Sequence, residues 1–181
     1  PSVTFGLGSP TTLTLGYVHQ EDDNIPQYGV PYYLSAFNDG PLPDADSSNY
    51  YGYRNIDRQE ITVDQVTGTI THDFNDWLAV RNLTRWQRVT QTSVVDPPQS
   101  AGICLPSGVL VSSTAASNGT PCVYTGTFIP SGPRGNRRDT ENELLYNQTD
   151  FSAEFMTGGI RHNAVLGFAF SSEDYHLSTG P

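Results

Sequence analysis

The strictest constraint on this chain is an apolar-polar alternation with a period of two residues, which only an extended strand can sort onto two faces. It is plainest after Gly158-Gly159, where Ile160, His162, Ala164, Leu166, Phe168 and Phe170 fall on one side and Arg161, Asn163, Val165, Gly167, Ala169 and Ser171 on the other. Before that glycine pair Phe151, Ala153 and Phe155 oppose Asp150, Ser152, Glu154 and Met156, so the two runs read as a hairpin with a tight turn. The same period sorts Leu13, Leu15, Tyr17 and His19 from Thr12, Thr14, Gly16 and Val18. A further hairpin spans 61–72 and 78–89 around Asn75-Asp76, with Leu78, Val80 and Trp86 opposite Arg81, Arg85 and Gln87. Within 61–72 the phase changes, from Ile61 and Val63 to Val66 and Ile70, which suggests a bulge.

No segment carries apolar residues at helical spacing with caps, and Thr, Val, Tyr and Phe recur throughout. The expected fold is all-β, an antiparallel up-and-down meander with strands near 11–20, 58–73, 78–94, 143–157 and 160–174, and the end of another at 2–6. Short turns near 7–10, 74–77 and 157–159 alternate with long segments at about 20–57 and 96–142. Successive connections in an antiparallel meander lie at opposite ends, so the short turns share one end and the long loops the other. Long loops in compact domains usually carry function.

Composition narrows the partners. The 181 residues hold 9 basic against 19 acidic side chains, a net charge of -10, and every basic residue is Arg. Such a chain lacks the clustered positive charge that nucleic acid demands. The longest strongly apolar run, 164–170, is far shorter than the roughly 20 residues of a membrane helix, whereas barrel strands alternate and show no such run. Cys104 and Cys122 are the only cysteines, too few for a usual structural zinc site, and a disulfide between them is the preferred reading; it points to an oxidising compartment.

Several stretches together resemble the outer-membrane TonB-dependent siderophore receptors, especially the ferric-catecholate branch. They are 5–17 (FGLGSPTTLTLGY), 20–31 (QEDDNIPQYGVP), 53–58 (YRNIDR), 72–76 (HDFND), 147–155 (NQTDFSAEF) and 157–160 (TGGI). The resemblance covers nearly the whole chain and implies a partial barrel domain over 1–181, about six strands out of a wall of about 22, without the plug that closes such a lumen. It also implies a bacterial outer-membrane location, contact with membrane lipid, a ferric siderophore as transported ligand, and energy from TonB through a missing N-terminal region. No resident cofactor, metal or catalytic step is implied. From the alternation alone a secreted β-sandwich, with its apolar face turned inward, is the competing architecture; the corresponding function is a binding or adhesion module with a disulfide-closed loop.

Two groups of residues stand out as candidate ligand contacts. Arg134, Arg137 and Arg138 crowd a glycine- and proline-containing stretch of the second long loop, suited to an anionic ferric complex or to balancing Asp139, Glu141 and Glu143. Tyr50, Tyr51, Tyr53 and Arg54 gather late in the first, offering aromatic faces and a cation to planar catecholates, or anchors at a membrane interface. Asp44, Asp46 and Asn49 have calcium-like spacing but lack the glycine and terminal glutamate of a binding loop, so a solvated acidic loop is expected. Asn82, Asn118 and Asn147 match the glycosylation pattern by chance, two of them within expected strands.

Overall fold

The computed structural model describes residues 1–26, 29–30, 32–34, 39–41, 45–96, 100–112, 118–130 and 135–180. In chain order the strands are β1 (Ser2–Phe5), β2 (Thr11–Asn24), β3 (Tyr32–Leu34), β4 (Asp39–Pro41), β5 (Arg58–Asn75), β6 (Leu78–Val95), β7 (Ser100–Cys104), β8 (Leu110–Val111), β9 (Thr127–Pro130), β10 (Asn136–Thr157) and β11 (Ile160–Gly180). Six of them form one sheet in the order β1-β2-β5-β6-β10-β11, in which sequence neighbours among the long strands are spatial neighbours. The up-and-down meander expected from the alternation is the observed topology.

Cross-strand contacts set the register. Ser2 pairs with Gly16 and Phe5 with Leu13, antiparallel. Thr11 meets His72, Thr12 meets Thr71 and His19 meets Asp64, so one strand rises as the other falls and β2 and β5 keep a single register over that span. The mixed phase of 61–72 therefore reflects apolar residues on both faces, and no bulge is needed between Asp64 and His72. The turns are chemically explicit: Asn75 Oδ1 accepts from the N–H groups of Trp77 and Leu78 at 3.0 and 2.9 Å, and Gly158 and Gly159 hold φ of 50° and 86°, left-handed values matched to a two-residue hairpin.

The strands run further than the alternation suggested. β10 begins at Asn136 instead of 143, and β11 continues to Gly180 instead of 174. The β10 extension, NRRDTEN before Glu143, holds no apolar residue and so carries no two-residue signal although its backbone still pairs, and in the β11 extension Tyr175 and Leu177 fall on odd positions, out of phase with the even-numbered apolar run from Ile160 to Phe170. The long connections are also not plain loops. The first holds the β3–β4 pair and the second a three-stranded sheet in the order β8-β7-β9.

The chain divides into two compact units. One comprises Pro1–Asp22, Glu60–Gln91 and Asp139–Ser178, and it carries the short turns and most of the long strands; the other comprises Asp23–Gln59, Thr92–Arg138 and Thr179–Pro181, and it carries both long connections. The long-strand unit has no covered core. Leu15, Val66, Ile70, Phe155, Leu166, Phe168 and Phe170 lie exposed on one face, the last two at 63%. The opposite face carries polar contacts such as Arg81 with Asp150 and Arg85 with Thr67. A sandwich must bury its apolar face against a second sheet, and this one is bare, so the sandwich alternative is not supported.

Among the described residues of the loop unit the buried apolar ones are Ile103, Cys104 and Val111, all on β7 and β8. Cys104 and Cys122 are joined by a disulfide with Cα atoms 5.8 Å apart. That bond ties β7 to the turn that follows Gly119, where Cys122 N–H donates to the Gly108 carbonyl at 2.9 Å.

Candidate functional site

The tyrosine cluster sits in the loop unit just before β5. A turn forms where the N–H groups of Ile56 and Asp57 both donate to the Tyr53 carbonyl, at 2.8 and 2.7 Å. It swings the Asp57 side chain back beneath the cluster. Asp57 is only 3% exposed, and its Oδ2 accepts from the Tyr50 hydroxyl and from the Tyr53 N–H, each at 2.6 Å. A side chain on Gly52 would place its Cβ 2.3 Å from Asp57 Oδ2 and 2.4 Å from the Tyr50 hydroxyl, so the cluster closes only around glycine. The exposed Arg54 guanidinium lies 5.8 Å from the centre of the Tyr50 ring, a cation-π geometry. Tyr51 turns away and donates its hydroxyl to the Asp46 carbonyl at 2.9 Å. The four sequence-predicted residues are thus neighbours in one structured turn, with the Tyr50 hydroxyl already engaged.

The arginine group is placed differently from expectation. Arg137 and Arg138 do not lie in an irregular stretch of the second long loop; they are the second and third residues of β10, both exposed. Arg134 lies outside the described residues. The correction has the same origin as the strand extension: a basic and acidic run can pair its backbone as well as an apolar one.

Sequence reasoning missed the residues that hold these groups. Asp57 Oδ1 accepts from the Asp96 N–H at 2.8 Å, and Asp96, itself 2% exposed, accepts from the Gly135 N–H at 2.8 Å. Two buried carboxylates therefore tie the turn at 50–57, the end of β6 and the start of β10. A buried carboxylate is expensive unless hydrogen bonds replace its water, and the four bonds here come from three loop roots: two from the turn at 50–57, one from Asp96 and one from Gly135. The available signal was position, since both aspartates flank long strands, but a partner that far away in sequence cannot be read from spacing.

Asp46 takes a local role. Its Oδ1 accepts from the Ser48 N–H and hydroxyl at 2.8 and 2.7 Å, and the Ser48 backbone N–H is the main cause holding its carboxyl below the usual range. Asp44 lies outside the described residues, and among those described no group of three or more His, Cys, Asp or Glu is arranged to hold a metal ion. In the long-strand unit an open cleft of about 910 Å³ lies beside the short turns, lined by Pro10, Asn75, Trp77, Glu154 and Asn163 among others, and it contains none of the predicted ligand residues.

No protein-family profile matches the chain. It is 30% identical over 182 residues to the catecholate siderophore receptor Fiu of Escherichia coli K12, covering 96% of this chain. It is 26% identical to a probable TonB-dependent siderophore receptor, PiuA, of Acinetobacter baumannii, again over 96% of the chain. The crystal structure of Fiu, described as a ferric-catecholate import receptor in an open form, superposes with a TM-score of 0.70 at 31% identity, over 97% of this chain and 26% of that one. PiuA superposes with a TM-score of 0.64 at 21% identity, a likeness of fold. The chain spans about a fifth of the length of these curated relatives, 22% and 21%.

A meander with a bare apolar face, a polar opposite face, short turns and two elaborate loops defines part of the wall of a bacterial outer-membrane β-barrel. Within that class, its likeness over nearly the whole length places this stretch among the TonB-dependent siderophore receptors, on the branch of the catecholate receptors.

Proposed function

We propose that this stretch is a partial barrel domain of a longer receptor that binds a ferric siderophore on its outward loops and carries it across the outer membrane with energy from TonB. What supports the reading is the likeness to the ferric-catecholate import receptor Fiu, at a TM-score of 0.70 over 97% of the chain, which includes both long connections. The transported complex is cargo, so no covalent step and no resident cofactor are required. TonB acts through a region outside this stretch, and lipid covers the face that carries Phe168 and Phe170.

The chemistry of the loops suits such a cargo. A ferric catecholate is an anion edged by planar rings, and the chain's net charge of -10 makes exposed arginines the natural contacts. Arg54, Arg137 and Arg138 are exposed in the loop unit. Each charge-assisted contact is worth about 1.5–3 kcal/mol when desolvated and much less when wet. The test is capture of a ferric catecholate by cells carrying the full-length receptor at equal surface abundance. Reversing charge at Arg134, Arg137 and Arg138 is expected to weaken binding about tenfold or more while barrel assembly survives. Unchanged affinity removes these arginines from the site and leaves Tyr50, Tyr51, Tyr53 and Arg54 as the contact group.

A further inference from the structure

The two candidate contact groups are separated by about eighty residues of chain, yet hydrogen bonds connect their foundations. Starting at the Tyr50 ring, with Arg54 over it, the path runs through the Tyr50 hydroxyl to Asp57 Oδ2 at 2.6 Å, then from Asp57 Oδ1 to the Asp96 N–H at 2.8 Å. Asp96 Oδ1 then takes the Gly135 N–H at 2.8 Å, two residues before Arg137. Both carboxylates are almost wholly buried. A buried acceptor that loses one donor must find another or pay desolvation, so the three loop roots have no low-energy way to move apart one at a time.

We propose that Asp57 and Asp96 are positioning residues that clasp the tyrosine-arginine turn to the start of β10, making Arg54 and the Arg137-Arg138 pair one ligand platform instead of two independent contacts. Neither aspartate touches ligand. Each acts through the segment whose N–H or hydroxyl it holds. The proposal rests on the functional reading above, in that the ligand is an anionic ferric catecholate. Its physical content is that the two contact groups are energetically coupled, as neighbours sharing one hydrogen-bond network are.

The experiment uses the full-length receptor in cells and an iron(III)-catechol complex as probe, with surface abundance measured for every variant. Asp57→Asn keeps the shape of the side chain but turns one acceptor into a donor facing the Tyr50 hydroxyl and the Tyr53 N–H. It is expected to weaken capture about tenfold. In an Arg137→Ala/Arg138→Ala background the same change is expected to cost about threefold or less, because the clasp then positions fewer contacts. Tyr50→Phe, which removes only a hydroxyl, is the second variant should Asp57→Asn fail to reach the surface, and it is expected to show the same loss of additivity.

A second readout is independent of ligand. Spin labels at Asn55 and Asn136 are expected to give one narrow distance distribution in the wild type and a broad one in Asp57→Asn. If Asp57→Asn and the double arginine change multiply their effects in full, and the distances stay narrow, the clasp is refuted while the functional reading stands. If wild-type receptor does not capture the complex at all, the functional reading fails, and the spin-label widths still decide whether the clasp exists.

Discussion

The apolar face of β6 and β10 contains a polar quartet whose removal can be predicted in some detail. Asn82 Nδ2 donates to Asn147 Oδ1 at 3.2 Å and to Thr149 Oγ1 at 2.7 Å, while Asn82 Oδ1 accepts from Thr84 at 3.3 Å and from Asn147 Nδ2 at 3.2 Å, four hydrogen bonds in all. Asn147 Nδ2 also donates to Thr84 Oγ1 at 2.7 Å. The quartet shares its face with Val80, Trp86, Leu145 and Phe151, so lipid offers its members no replacement partner. β6 and β10 are joined by residues 96–135 and not by a tight turn. Their apolar residues alone would tolerate a slip of two residues, since an even slip keeps every side chain on its own face. The reciprocal amide pair forbids that slip. At about 0.6 kcal/mol for each hydrogen bond of a side chain within the membrane, Asn82→Val is expected to cost about 2 kcal/mol, with an added penalty for the groups it orphans. Asn82→Val/Asn147→Val removes both amides, and its cost is expected to fall well below the total of the two single changes, by about 1 kcal/mol or more. Reversible urea unfolding of the full-length receptor in lipid vesicles measures all three. Additivity within about 0.5 kcal/mol would refute the reasoning, because it would mean that the amides do not depend on each other.

Phe168→Arg, on the lipid face of β11, is expected to destabilise the barrel by about 2–4 kcal/mol if it lies near the midplane, whereas Ala169→Arg on the opposite face costs little; paired unfolding curves in vesicles check this. Loss of the disulfide through Cys104→Ala/Cys122→Ala, a separation of 18 residues, is expected to cost the loop unit about 3 kcal/mol in the chain-entropy model. Alkylation of native, unreduced protein should label neither Cys104 nor Cys122. The lowered carboxyl of Asp46 means that its turn gains stability above the unfolded-state value and loses it as pH falls through the folded one. Protection of the Ser48 amide from exchange, taken relative to its intrinsic rate at each pH, should fall in acid, and Asp46→Ala should abolish that pH dependence.

The two-residue alternation was sufficient for the meander, the order of the long strands, the turns at Asn75 and Gly158-Gly159, and the division into an apolar and a polar face. These follow from local geometry, because side-chain period and turn chemistry are written within a few residues. Which way the apolar face points was not legible. An inward face and a lipid face have the same pattern, and only the bare exposure of Phe168 and Phe170 in the folded sheet separates them. The outer strand extensions were equally invisible, since Arg137 and Arg138 pair through backbone groups that every residue carries. The clasp of Asp57 and Asp96 is purely tertiary. Its donors come from Tyr50, Tyr53, Asp96 and Gly135, and a buried carboxylate reveals its partners only once the chain has folded around it, because hydrogen bonds between distant segments leave no periodicity to read.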